Sequence, residues 1–165
     1  MDTGAIAVDL SDFHFLFEGV PIDILLLGEM FSCSNQFQLR TVLYAIQSLN
    51  TLKVENWIID QEFCEIFTRV ESHVHVSGLS APKIRNLHLT NAKIVDQQGL
   101  KDLVLSHGLE QMLLGGYLSH GSGLEADWQP LMVWEELVEW LAENVPAIQL
   151  VLGGDYRSPE FQIAK

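Results

Sequence analysis

Apolar residues recur along the chain in two alternating patterns. Short segments with an apolar residue at every second position are typical of strands. These predicted strands end near Leu27, Val54, Leu89, Leu114 and Leu152. Segments with apolar residues three or four positions apart lie between them and predict helices that each bury one stripe. The predicted helices cover about 37–46, 63–70, 100–104 and 130–144.

The last of these helices has the most regular pattern. Its predicted stripe includes Leu131, Trp134 and Leu137, with Val138 and Leu141 in the following turn, and glutamates occupy the other side. Because a helical stripe of this kind faces the core, we expect Trp134 to be buried.

An internal repeat connects two of the strands. Residues 49–56 and 84–91 share the form L-x-x-L-x-L-x-N, with Ile or Val at some Leu positions, and an isoleucine follows each three residues later. Segments 111–116 and 149–154 match each other and place alternating apolar residues before a glycine pair. The strand ends are 27, 35, 25 and 38 residues apart. The pattern therefore predicts a series of strand–helix units.

The recurring polar and glycine positions have structural interpretations. Asn56 and Asn91 fall at one repeat position, where an amide can bond backbone groups of adjacent units. The glycine pairs are predicted to let the chain turn out of a strand. Segments 70–82 and 115–130 interrupt the pattern and are predicted to be loops.

Strand and helix alternate without hairpin signals, which predicts parallel strands joined by helical crossovers. We interpret the whole chain, 1–165, as one α/β domain: a short leucine-rich-repeat-like solenoid with parallel strands and outer helices, clearest over 49–156. In such a fold each unit buries its apolar face against its neighbours.

Charge and cysteine content narrow the functional classes. Nine Lys and Arg against 22 Asp and Glu give a net charge of −13, which repels nucleic acid and anionic membranes and favours a protein partner, a basic one on charge grounds. Cys33 and Cys64 form no disulfide framework or zinc motif. With no leader pattern and no apolar run long enough to span a bilayer, we expect a location in cytosol or nucleus.

Candidate chemistry is sparse. His73 and His75 alternate as metal ligands on a strand can, but two ligands do not complete a site. Ser119 and Ser122 lack the Gly-x-Ser-x-Gly elbow, and both cysteines are interpreted as packing residues. We therefore predict no catalytic residue, cofactor or metal. A small metal-dependent or hydrolytic α/β enzyme that combines His73, His75, His107 and His120 is the alternative.

Residues 84–118, with their repeat, following Asp96 and glycine pair, resemble the ribonuclease-inhibitor-like leucine-rich repeats of fungal F-box proteins. That resemblance implies a substrate-recognition role in a ubiquitin ligase, with an F-box that binds a Skp1-type adaptor. Residues 20–25 are similar to the start of an F-box, but the Cys/Arg-Trp ending does not follow, and we assign them to the first strand. A fragment of a longer F-box protein is a further alternative.

We therefore predict a protein-interaction scaffold rather than an enzyme, with ubiquitin-ligase subunits among its candidate partners. Side chains that alternate with inward strand residues, or directly follow a strand, are the candidate contacts. These are Glu55, Trp57, His88, Thr90, Tyr117 and Tyr156.

Overall fold

Helices and strands alternate along the chain in a computed structural model that describes residues 20–28, 36–69, 81–120 and 127–151. The strands are β1 (Ile24–Leu27), β2 (Thr51–Glu55), β3 (Ile58–Ile59), β4 (Asn86–Ile94), β5 (Gln111–His120), β6 (Asp127–Pro130) and β7 (Ala147–Val151). The helices are α1 (Gln36–Ala45), α2 (Gln61–Phe67), α3 (Gln97–His107) and α4 (Glu136–Asn144). The described chain is thus mixed α/β, with a mostly parallel seven-stranded sheet.

Strands that follow one another in the chain are neighbours in the sheet. β1, β2, β4 and β5 lie side by side in that order and are parallel, and β7 adds in parallel to the first half of β5. β3 continues the line of β2 and pairs with the second half of β4. The prediction of parallel strands joined by helical crossovers is confirmed for these elements.

The exception is β6, which is antiparallel to the second half of β5. The prediction of a loop over 115–130 was therefore wrong for its described parts: β5 continues to His120, and β6 pairs back on it. Gly115 and Gly116 lie inside β5 instead of ending it. The glycine at 116 is required because a Cβ there would lie 2.1 Å from the Ala92 carbonyl oxygen. Gly153 and Gly154 fall outside the described residues.

The register of the sheet follows the spacing of the sequence repeat. Leu27 pairs with Val54, Val54 with Leu89, and Leu89 with Leu114, which reproduces the predicted offsets between the first four strand ends. The last unit differs, because Leu114 pairs with Leu150 and not with Leu152. A two-residue shift keeps the same side chains on the same face.

The core lies between the sheet and one layer of helices. Each helix contacts the next along the chain, α1 with α2, α2 with α3 and α3 with α4. The strand residues that face this layer are fully buried, including Leu52, Leu87 and Leu114. Asp60 and Asp96 accept hydrogen bonds from first-turn backbone amides of α2 and α3 and thus cap the N-termini of these helices. Both caps lie within two residues of the end of the preceding strand.

The last helix begins later than its pattern predicts. α4 starts at Glu136, and its buried residues are Leu137, Val138 and Leu141. Trp134 lies in the preceding turn and is 69% exposed, so its predicted burial was wrong. The helical stripe was extended through residues that do not have helical geometry.

None of the described helices is long and apolar enough to cross a membrane.

Candidate interaction surface

The sheet has one face covered by the helix layer and a second face that the described helices leave uncovered, which we call the open face. Side chains of successive strand residues alternate between the two faces, and paired residues of neighbouring strands share a face. Because Leu52, Val54, Leu87 and Leu89 are buried under the helices, the residues between them belong to the open face. One row across it reads Leu26, Lys53, His88, Leu113 and Gln149.

A second row crosses the sheet nearer the strand ends. Ile58 pairs with Lys93, Lys93 with Tyr117, and Tyr117 with Pro130. Trp128, two residues before Pro130 on β6, lies on the same face, and its ring is 5.5 Å from the Lys93 ammonium. We call Ile58, Lys93, Tyr117 and Trp128 the Lys93 patch. It combines an exposed aliphatic side chain, two half-buried aromatic side chains and an exposed cation.

Glu55 and Thr90, two of the predicted contact residues, are neighbours on this face. They are paired across β2 and β4, and the Thr90 hydroxyl donates to the Val54 carbonyl over 3.4 Å. Both are buried, at 4% and 3% exposure. They therefore present little surface for direct contact with a partner in this conformation.

Trp57 lies on the helix side of the sheet. Its indole nitrogen donates to the Gly28 carbonyl over 2.8 Å, and its ring meets Phe63 of α2 edge to face at 5.9 Å. Trp57 packs against the core in this position. This position connects the end of β1 to α2. Trp57 is half-buried, and its role as a contact residue stays a prediction.

His88 and Tyr117 are half-buried on the open face, as their predicted role as contact residues requires. They belong to different rows: His88 is paired with Lys53 and Leu113, and Tyr117 with Lys93. Tyr156 lies outside the described residues. The role of these residues in binding stays a prediction.

His107 is the most completely buried titratable side chain among those described, at 1% exposure. Its Nδ1 accepts a hydrogen bond from the Ile84 amide over 3.2 Å, which requires the proton to be on Nε2. Nε2 then donates to the Phe67 carbonyl over 2.7 Å. Burial lowers the pKa of this imidazole, so the ring is neutral. Both ring nitrogens are occupied by backbone groups in this arrangement.

The other histidines of the alternative enzyme hypothesis, His73 and His75, lie outside the described residues, as does the side chain of His120. No three His, Cys, Asp or Glu side chains of the described residues come together as a metal site. The thiol of Cys64 is buried, and its burial raises its pKa to about 12, with Asp96, Asp60 and Asp102 contributing in the same direction. Cys64 is thus a packing residue with a weakly nucleophilic thiol.

A shallow depression with little enclosed space lies beside His107. Its walls include Tyr44 of α1, Phe67 of α2 and Pro82 before β4, and most of its lining is apolar. Since both nitrogens of His107 bond to the backbone, this imidazole has no free lone pair to act as a base there.

Sequence reasoning missed several members of the open face. Ile58, Lys93 and Trp128 were not among the predicted contacts, because β6 and the extension of β4 and β5 were not predicted. The signal that identifies Ile58 and Lys93 is the repeat itself: they are 35 residues apart and precede the recurring Ile59 and Ile94. Trp128 had no comparable signal.

The chain matches none of the protein-family models, curated proteins or solved structures with which it was compared.

Proposed function

We propose that this chain is a non-catalytic protein-binding scaffold of the leucine-rich-repeat type, and that its partner binds the open face of the sheet. The main observation in support of this proposal is the order of the strands in the sheet. Consecutive parallel strands are neighbours, and consecutive helices form one layer on one side. A parallel sheet is ordinarily covered on both faces, so an uncovered face is a candidate binding surface.

The composition of the open face supports this proposal. Leu26 is 41% exposed and Ile58 is 52% exposed, in positions where strand side chains point away from the helices. The same face also has two half-buried aromatic residues, Tyr117 on β5 and Trp128 on the edge strand β6. Apolar and aromatic side chains of this kind are common anchors in protein interfaces.

Within this function, the resemblance of residues 84–118 to F-box-protein repeats leads to a narrower proposal: recognition of a substrate for ubiquitin transfer in cytosol or nucleus. In that case the open face holds the substrate. A Skp1-type adaptor would be bound either by this chain or by another part of a longer protein.

Affinity purification of the tagged full chain from its native cells, with mass spectrometry, tests both levels of the proposal. The wild type is compared with an open-face variant, Leu26→Ser with Tyr117→Ala, and with a helix-side control, Tyr44→Ala with Leu105→Ser. Tyr44 and Leu105 are exposed on α1 and α3, so the control removes comparable apolar surface. Equal thermal midpoints of the three proteins establish that each is folded.

A partner that is recovered with the wild type and the control but lost with the open-face variant supports the scaffold. A partner that depends only on Tyr44 and Leu105 contradicts it. Ligase subunits in the recovered set support the narrower proposal, and a reproducible partner set without them removes the ligase role while the scaffold stands.

A further inference from the structure

The open face has more basic than acidic side chains, whereas the chain as a whole is acidic. The whole chain has 22 acidic and nine basic residues. Among described strand residues that face away from the helices, the only carboxylate is that of Glu55, which is buried. The same rows contain Lys53, His88 and Lys93. The carboxylates of the described residues are therefore concentrated away from the open face.

Lys93 is the exposed cation of this surface. Its ammonium lies over the Trp128 ring, 5.5 Å from the centroid, which orients it without neutralising its charge. Arg85 pairs with Glu110 and Lys101 with Glu136, whereas the described residues provide no carboxylate partner for Lys93. Lys93 is thus positioned to bind a carboxylate from outside the chain.

Apolar groups surround this cation on two sides. Ile58 precedes Lys93 across the sheet and is 52% exposed, and Tyr117 follows it on β5. A ligand that spans the row therefore meets an aliphatic side chain, a cation and an aromatic ring within three adjacent strands. Strands of a sheet are about 4.8 Å apart, so this distance corresponds to a few residues of an extended peptide.

We infer that the Lys93 patch binds an acidic–apolar segment of a partner protein, in which an Asp or Glu pairs with Lys93 and neighbouring apolar side chains contact Ile58 and Tyr117. This inference rests on the proposed scaffold function and specifies its partner, and it replaces the basic partner that net charge alone favoured. A second copy of the chain is disfavoured because both copies carry −13, and nucleic acid is disfavoured by the same charge.

The test uses the full chain and a display library of random peptides. Selected peptides are synthesised, and their dissociation constants are measured by fluorescence anisotropy for the wild type, Lys93→Glu, Lys93→Arg and Tyr117→Ala. Leu105→Ser is the matched control, because Leu105 is exposed on α3 away from the patch. A single-stranded oligonucleotide is titrated in parallel, and thermal midpoints show that each variant is folded.

The inference requires selected peptides that place Asp or Glu beside apolar residues. Their affinity should fall about tenfold or more in Lys93→Glu, stay near wild type in Lys93→Arg and Leu105→Ser, and recover in Lys93→Glu when the peptide acid is changed to Lys. Selection of basic peptides that depend on Tyr117 overturns the acidic partner but leaves the scaffold. The absence of any peptide sensitive to an open-face change overturns both. Tighter binding of the oligonucleotide than of any peptide, lost in Lys93→Glu, overturns the inference in favour of nucleic acid.

Discussion

Asn56, which follows β2, and Asn91 of β4 occupy equivalent positions of the repeat, and both have a left-handed backbone, with φ of 60° and 50°. Each directly follows one member of the pair Glu55–Thr90. The backbone N–H of Asn56 donates to the Thr90 carbonyl over 3.0 Å. On the next strand Gly116 has φ of 146° and lies opposite Ala92. Three adjacent strands thus bend at one level of the sheet. Asparagine recurs there because it adopts the left-handed region more readily than other non-glycine residues.

Replacement of Asn91 distinguishes the backbone conformation from an amide hydrogen bond as the reason for this residue. Asn91→Ala should lower the free energy of unfolding by about 1 kcal/mol, because Ala is disfavoured in the left-handed region. Asn91→Gly should cost much less, since glycine adopts that conformation readily. Urea denaturation measures both. Equal losses in the two variants would instead assign the role to the amide side chain.

The repeat in the sequence predicted the sheet well where the units are most alike. The apolar positions of segments 49–56 and 84–91 gave the pairing of β2 with β4, because equal spacing in a repeat places equivalent residues side by side. The predicted offsets to β1 and β5, 27 and 25 residues, were also correct. It was wrong by two residues at β7, where the similarity of 111–116 to 149–154 did not correspond to the pairing.

Other features of the fold could not be predicted, because the local pattern of apolar residues does not show which distant segments come into contact. β6 pairs antiparallel with β5, although Trp128 to Pro130 has no alternating pattern. Trp57 follows a strand, and its packing against Phe63 of α2 was not predicted. Trp134 satisfied the helical spacing but precedes the helix. For β6 the pairing with β5 decided the outcome, and the local sequence there was compatible with either a loop or a strand.

A side chain at residue 116 should be far more costly than one at residue 108. In Gly116→Ala the new Cβ would lie 2.1 Å from the Ala92 carbonyl oxygen, so β4 and β5 must separate locally. We expect a loss of about 3 kcal/mol. Gly108→Ala is the matched control, because Gly108 has φ of 60° but no atom within 4 Å of its Cβ position, and should cost about 1 kcal/mol. Similar unfolding midpoints for both variants would show that β4 and β5 are not packed so closely.

Truncation should strongly reduce stability at residue 137 and hardly change it at residue 134. Leu137→Ala removes a side chain that is fully buried between α4 and the core and should cost about 2–5 kcal/mol. Trp134→Ser should change stability by less than about 0.5 kcal/mol, because this ring is 69% exposed. The loss of Trp134 should also reduce the share of tryptophan fluorescence that acrylamide quenches readily. A large loss of stability in Trp134→Ser would mean that this ring is buried.

His107 should make the stability of the protein depend on pH in one direction. Its folded-state pKa lies below the usual 6.5 because burial disfavours the charged ring. Below about pH 6.5 the unfolded chain therefore gains a proton that the folded chain does not, and folding becomes less favourable as the pH falls towards the folded-state pKa. Well above pH 6.5 the ring is neutral in both the folded and the unfolded chain, so this loss of stability is absent. For one such group the change reaches at most about 1.4 kcal/mol per pH unit.

Urea denaturation of the wild type, His107→Gln and His88→Gln at pH 7.5, 6.5 and 5.5 isolates this contribution. His107→Gln should be less stable than the wild type at pH 7.5, because the buried Ile84 amide loses its acceptor, at a cost of about 1–3 kcal/mol. The difference should shrink as the pH falls, since only the wild type carries the His107 penalty. His88→Gln, half-buried on the open face, should keep the dependence that comes from His107. A constant difference between wild type and His107→Gln at all three values would show that His107 titrates alike in the folded and unfolded chain.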